Sequence, residues 1–496
     1  MTNVLLLMSD EHNPRYSSTY GHPFVRTPNL DRLAERGTVY ENAYCPSPLC
    51  VPSRSAFMTG RYVHEIQRYN NCKVIEARDP SYGQVLAEQG VHTGYIGSAA
   101  NLYRDPYHLG FSEMLLSEVT QRQLNPNAAR RVVTEPAPPK TEADHGPLSG
   151  RFDEDVIFID RAVQWLQETA PTMIKPWTLT VNVHPPHPPY TSDPGHWSRY
   201  DGRGDLPRHG VDEPSAQHPY TRDLRDRAGW SYDPSLVREL RQGYYAMISY
   251  VDDELGRLLD ALDESGQAED TVICYTCDHG EMLGTFGVWG KCSLYEDSAR
   301  IPIVAAGPGF TPGARVRTPV SLLDLQAAIF HAVGAERPAA WHGDPLQTIA
   351  EDDPDRVLFA EYHGTGVRGS GYLIRRGDWK LIFNAEAPHQ LFDLAHDPGE
   401  LDNLWDRRPD VAAELEQELR KICDPIAEHR AAEEFSRRQL ATIDALRDQL
   451  GPDTHQVPWA EADPDRRRPG ISDLPEIQSE QVGGGPVIGC TVTDRQ

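Results

Sequence analysis

Apolar and polar positions follow two rhythms along this chain. Short runs of mostly apolar residues, as expected of strands buried on both faces, occur at residues 4–8, 93–97, 178–183, 271–277 and 301–305. Stretches with helical spacing lie between them. Residues 27–36 carry Pro28 in the first turn and stop at Gly37. Residues 153–167 place Ile157, Ala162, Val163 and Leu166 at apolar helical positions. Residues 235–262 hold the longest stripe, from Leu236 and Leu240 to Leu258 and Leu259, and core packing accounts for all of it. Strands alternating with helices predict an α/β fold: a large, mainly parallel sheet flanked by helices.

Two regions break the alternation. Residues 120–150 are polar and rich in Pro and Ala. Residues 185–233 are long and irregular and follow a strand directly, so a pocket wall is expected there. After about residue 365 the texture changes. Residues 371–375, 378–383 and 390–394 predict short antiparallel strands, and 410–450 a helical region. The expected division is an α/β domain at 1–365 and a smaller C-terminal α+β subdomain at 366–450. An extended tail at 451–496 is expected to reach another subunit of a homo-oligomer.

Charge narrows the partners. The 496 residues carry 74 acidic and 48 basic side chains, a formal net charge of -26. Nucleic acid and anionic membranes are therefore not expected partners, and an anionic substrate would need local Arg, Lys or metal. The apolar run at 3–8 is too short for a secretory segment, and no run has the length of a membrane span. A cytoplasmic location is expected, with the eight cysteines mostly reduced. Cys274 and Cys277 have the spacing of a redox or zinc pair, but they sit inside an apolar run and read as strand cysteines.

The chemistry gathers where strands end. Asp10 and Glu11 follow the first strand, His184 and His187 the third, Asp278 and His279 the fourth. In a parallel sheet these ends share one edge, where ligands bind. Carboxylates joined by imidazole form a plausible oxygen-rich site for a divalent cation. Cys50 stands apart from these, in Cys50-Val51-Pro52-Ser53-Arg54. An arginine four residues on would stabilise negative charge beside a nucleophile.

That pentapeptide is followed by Thr59-Gly60-Arg61, Asp278-His279-Gly280-Glu281, Trp289-Gly290-Lys291 and Asp397-Pro398-Gly399-Glu400. In this order the segments resemble the formylglycine-dependent type I sulfatases of the alkaline phosphatase superfamily, nearest to the choline-sulfatase and phosphonate monoester hydrolase branches. The resemblance implies an alkaline-phosphatase-like fold. It implies that a formylglycine-generating enzyme or equivalent converts Cys50 to formylglycine, reading Pro52 and Arg54 as part of its motif. It also implies that the hydrated aldehyde attacks the ester and later expels sulfate, which a serine could not do. Asp10, Glu11, Asp278 and His279 would ligate one divalent cation, Ca²⁺ foremost and Mn²⁺ as the alternative. Arg54 would hold the hydrate, Lys291 the sulfuryl oxygens, and His187 would protonate the leaving oxygen. His184 would be a pocket wall or a backup to His187, and Asn71 matches a substrate-binding asparagine.

The implied reaction is hydrolysis of a small or aryl sulfate ester. The alternatives are a phosphonate monoester or phosphodiester hydrolase with the same nucleophile, and an unconverted relative that only binds an anion. One departure bears on this choice. Ser98 and Ala100 stand where many sulfatases have Lys and His. Two anion contacts worth roughly 1.5–3 kcal/mol each are lost, which favours a substrate with one negative charge. Arg104 and His108 are nearby cationic candidates for the same space.

Overall fold

β1 (Asn3–Ser9) runs through the middle of the larger sheet and is buried along its whole length. Side chains alternate along a strand, so Leu5 and Leu7 enter the core on one face while Val4, Leu6 and Met8 enter the core on the other. The structure is a computed structural model and describes residues 2–71, 79–97, 109–115, 144–228 and 233–450. Ser98, Ala100, Arg104, His108, most of the 120–150 stretch and the 451–496 tail lie outside the described residues.

In chain order the other strands of this part are β2 (Gly37–Tyr44), β3 (His92–Gly97), β4 (Glu113–Leu115), β5 (His145–Pro147), β6 (Trp177–Asn182), β7 (Tyr190–Ser192), β8 (Thr271–Cys277), β9 (Arg300–Ala306), β10 (Ala314–Val316) and β11 (Val320–Ser321). The large sheet runs β10-β2-β9-β8-β1-β6-β3-β4, with β11 beside β2. β1 is parallel to both β6 and β8. The expected strand at 301–305 is present as β9, but it runs antiparallel to β8 and β2. The segment between β8 and β9 builds a loop that carries the 3-10 turn Thr285–Gly287 and the short helix Glu296–Ala299, so no long crossover returns the chain in parallel. β2 has no clean sequence signal. Glu41 and Asn42 interrupt its apolar pattern, and its pairing shifts register between Tyr40 and Ala43.

The β1 register sets up the site. Ser9 lies opposite Cys277 and Met8 opposite Asn182. The residues that follow β1, β6 and β8 therefore leave the sheet at one edge.

A second, antiparallel sheet contains β12 (Val357–Tyr362), β13 (Gly371–Arg376), β14 (Trp379–Asn384) and β15 (Gln390–Asp393). The helix Pro409–Ile422 lays Val411, Leu415 and Leu419 against it. The expected helical region at 410–450 is two helices, Pro409–Ile422 and Pro425–Leu450. Pro425 lacks an amide and starts the second, and Asp424 Oδ1 accepts the amides of Ile426 and Ala427. The two sheets meet around buried Lys380, whose Nζ lies 2.8 Å from carboxylate oxygens of both Glu296 and Glu400.

Candidate active site

The segment that carries Cys50 is a helix, Cys50–Thr59, with all ten residues buried. With no wet face it has no amphipathic stripe, which is why its apolar pattern did not announce it. Pro52 is tolerated because it sits in the first turn. Leu49 offers no side-chain cap. Asn71 does the capping from outside, with Oδ1 accepting the Val51 amide at 3.0 Å. Asn71, expected to bind substrate, thus lies beside residue 50 with its side-chain oxygen committed to the backbone there.

Arg54 lies one turn further along the helix, and all three of its nitrogens donate. Its Nε donates to Asp278 Oδ2 (2.7 Å), Nη1 to Asn182 Oδ1 (2.9 Å), and Nη2 to Asp10 Oδ2 (3.3 Å) and Ser9 O (3.4 Å). Ser53 Oγ donates to Asp278 O at 2.6 Å. Asp278 Oδ1 accepts the amides of Glu11 (3.1 Å) and His279 (3.0 Å). His279 points Nε2 at Cys50 Sγ, 3.3 Å away, and the same nitrogen is 3.7 Å from Asp10 Oδ1 and from Asp278 Oδ2.

Ligand atoms of Asp10, Cys50, Asp278 and His279 all lie within 4.8 Å of one another. Asp10 Oδ1 is buried without a hydrogen-bond partner. A bare carboxylate oxygen beside a second carboxylate and an imidazole, all out of water, fits an oxygen-and-nitrogen site for a divalent cation.

Glu11 sits apart from that group. It shares a second one with Asp10 and His187. Its Oε2 accepts from Lys291 Nζ at 2.9 Å and lies 3.4 Å from His187 Nε2, while Oε1 is buried and unpartnered. Its backbone is left-handed, with φ 71°. Such a conformation costs a residue with a Cβ about 1–2 kcal/mol. Asp278 on its amide and the Tyr244 hydroxyl on its carbonyl (2.6 Å) hold it in place.

Charge is shared out unevenly here. Burial alone would raise the Asp10 pKa, but His187, Lys291, Arg54 and His279 outweigh it and hold Asp10 well below the usual carboxylate range. Burial, reinforced by nearby Glu281 and opposed by Lys291, pushes the Glu11 carboxyl up. Burial works against the Lys291 ammonium, but Cys50, Glu11, Asp10 and Asp278 more than compensate and keep it charged. Burial, with Lys291 adding to it, takes His187 well below the ordinary imidazole value. Its Nδ1 is hydrogen-bonded to Pro188 O at 2.7 Å, which turns Nε2 toward the site. His184 sets its ring at a tilt of 56° to that of His187, 4.6 Å between centroids, and gives its amide to Asp155.

A family model described as Sulfatase matches residues 2–335. The chain belongs to the sulfatase family. A model of the N-sulphoglucosamine sulphohydrolase C-terminal region matches residues 284–424 of this sulfatase. Choline-sulfatase from Rhizobium meliloti (strain 1021) is 30% identical over 421 residues, covering 81% of this chain and 82% of its own length. Arylsulfatase K from Danio rerio is 28% identical over 463 residues, covering 88% and 87%. Phosphonate monoester hydrolase of Agrobacterium radiobacter superposes with a TM-score of 0.70 at 23% identity, over 85% of this chain and 95% of that one. The last likeness is one of fold, which is alkaline-phosphatase-like. The sulfatase is a sulfuric ester hydrolase.

Strand-end reasoning found Asp10, Glu11, His184, His187, Asp278 and His279. It missed Asn182, the polar last residue of β6, which receives Arg54. It also missed Tyr244, which reads as one more core position of the helix Pro234–Glu264.

Proposed function

We propose that the sulfatase hydrolyses a small or aryl sulfate ester, with residue 50 acting as formylglycine against one divalent cation, Ca²⁺. The observation that carries this reading is the meeting of Cys50 Sγ with His279 Nε2 inside the group formed by Asp10 and Asp278. The thiol stands in for the oxygens of a hydrated aldehyde. Asp10, Asp278 and His279 would hold the cation, with Glu11 beside them; when bound, the cation supplies a Lewis acid that favours the ionised nucleophile.

The chain's own groups account for the rest. Arg54 fixes both metal-facing carboxylates and faces the nucleophile's helix turn. Asn71 anchors the amide next to residue 50. The Lys291 ammonium, kept charged, is placed for the sulfuryl oxygens once substrate competes with Glu11 for it. His187, whose Nε2 faces Glu11 Oε2 at 3.4 Å, would deliver a proton to the leaving oxygen only after a bound anionic ester offsets Lys291 and the imidazole takes up a second proton.

The replacement of the usual Lys and His by Ser98 and Ala100 favours a second reading, cleavage of a phosphonate monoester or phosphodiester by the same groups. Conversion of residue 50 by a formylglycine-generating enzyme is part of either proposal. Mass analysis of the peptide carrying residue 50, with turnover of matched aryl sulfate and aryl phosphonate esters, tests them together. The expected result is an aldehyde at 50 and faster cleavage of the sulfate. Faster phosphonate cleavage would favour the second reading. A full complement of thiol in active protein would end both.

A further inference from the structure

Among the described residues the buried arginines have acidic partners: Arg54 with Asp278, Arg68 with Asp79, Arg241 with Asp205 and Arg375 with Glu296. Half-buried Arg151 has none, like Arg337, which donates only to the carbonyls of His342 and Gly343. Arg151 follows β5 and precedes the helix Asp153–Gln164. Its Nη2 donates to His187 O at 3.3 Å, and its guanidinium lies 5.6 Å from the centre of the Phe152 ring. Its Nε is buried with no hydrogen-bond partner. Among the described residues no carboxylate stands within ion-pair distance of it. Asp155, which acts on it from further off, spends Oδ1 on the His184 amide.

A half-buried guanidinium without a counter-charge is costly to keep, most of all in a chain of net charge -26, where carboxylates are plentiful. Its position gives it a use. The charge of Arg151 reaches His184, which also feels Asp10, Lys291 and Arg54. Arg151 holds the outer, carbonyl side of His187, whose ring faces Glu11. On the reading in which His187 serves the leaving oxygen, Arg151, bonded to the backbone of that residue, would lie nearer the alcohol half of the substrate than the reacting sulfur.

We propose that Arg151 is a specificity residue that binds an anionic substituent, a carboxylate or a second sulfate, on the alcohol half of the substrate. The inference rests on the functional reading above for the direction in which the alcohol departs. A guanidinium with donors to spare matches two oxygens of such a group in a single plane. The preferred esters then carry a single negative charge on the reacting group, in keeping with Ser98 and Ala100, and a further one on the alcohol half.

The test compares phenyl sulfate, 4-carboxyphenyl sulfate and 1,4-phenylene bis-sulfate on wild type, Arg151→Gln and Arg151→Lys. Wild type is expected to show a KM about tenfold lower for at least one charged ester than for phenyl sulfate. Arg151→Gln should erase that difference through KM, with kcat little altered, and Arg151→Lys should restore part of it. The ester that gains identifies the group. Equal KM values across the esters in wild type, or an equal rise for all three in Arg151→Gln, would overturn the proposal.

A binding arm needs no turnover. Calorimetry with 4-hydroxybenzoate should show affinity in wild type that falls about tenfold in Arg151→Gln, with unchanged melting temperature. Equal affinity in the two proteins overturns the role of Arg151. Absence of all ester turnover in wild type, with this difference in binding intact, counts against the functional reading instead.

Discussion

Without Arg54, the carboxylates of Asp10 and Asp278 would face one another out of water with no fixed positive charge between them. Arg54→Leu is expected to destabilise the metal-free protein by about 3–5 kcal/mol, the usual consequence of stranding a buried charge. Urea unfolding in the presence of chelator measures this. Arg54→Lys should recover only part of the loss, since one ammonium cannot serve Asp278, Asp10 and Asn182 in the plane that the guanidinium spans. A second residue-scale prediction concerns His64, whose Nδ1 lies 3.0 Å from fully buried Glu361. Burial lowers the His64 pKa, but Glu361 more than offsets this and lifts it from 6.5 to about 9. A folded-state value above the unfolded one stabilises the protein fully below pH 6.5, and the benefit fades as pH rises through 9. Wild type should lose on the order of 2–3 kcal/mol across that window relative to His64→Gln. Parallel pH profiles of unfolding free energy for the two proteins would refute this.

At the scale of elements, the helix Cys50–Thr59 depends on how it ends. Gly60 closes it with φ +63°, and a Cβ there would meet the Trp341 ring at 2.7 Å. Gly60→Ala therefore combines a left-handed strain with a clash and should lower stability by about 2–3 kcal/mol. A melting temperature equal to wild type would contradict this packing. The same helix shows what could be read beforehand. β1, β3, β6 and β8 were legible because strands buried on both faces have continuous apolar runs. The long helix Pro234–Glu264 was legible because one stripe repeats along it. Cys50–Thr59 was hidden because every position is buried, which leaves no period to detect. β2 was hidden by its polar interruption, and the antiparallel direction of β9 was not legible because strand direction depends on the connection, not on the strand's own residues. Within the site, residues just past strand ends were legible. Asn182 and Tyr244 were not, since their roles depend on which distant side chain meets them.

Across the whole molecule, the proposed cation would tie together parts of the chain far apart in sequence: the end of β1 and the end of β8. Dialysis against EDTA is expected to lower the melting temperature, and added Ca²⁺ to restore it. The recovery should approach about 2.7 kcal/mol when free metal is a hundredfold above its dissociation constant. Mn²⁺ in place of Ca²⁺ reports how much the His279 imidazole contributes to metal choice. An identical melting temperature with and without chelator would show that the acidic group holds no ion.

The seclusion of the Cys50–Thr59 helix also orders events in time. A modifying enzyme must grip several residues around its target as a free strand, yet here Cys50 is only 3% exposed and the residues after it are wound and enclosed. The proposed conversion of the thiol therefore belongs to the nascent chain, before the fold shuts. On that proposal, a molecule that folded before conversion would keep its sulfur and stay inert.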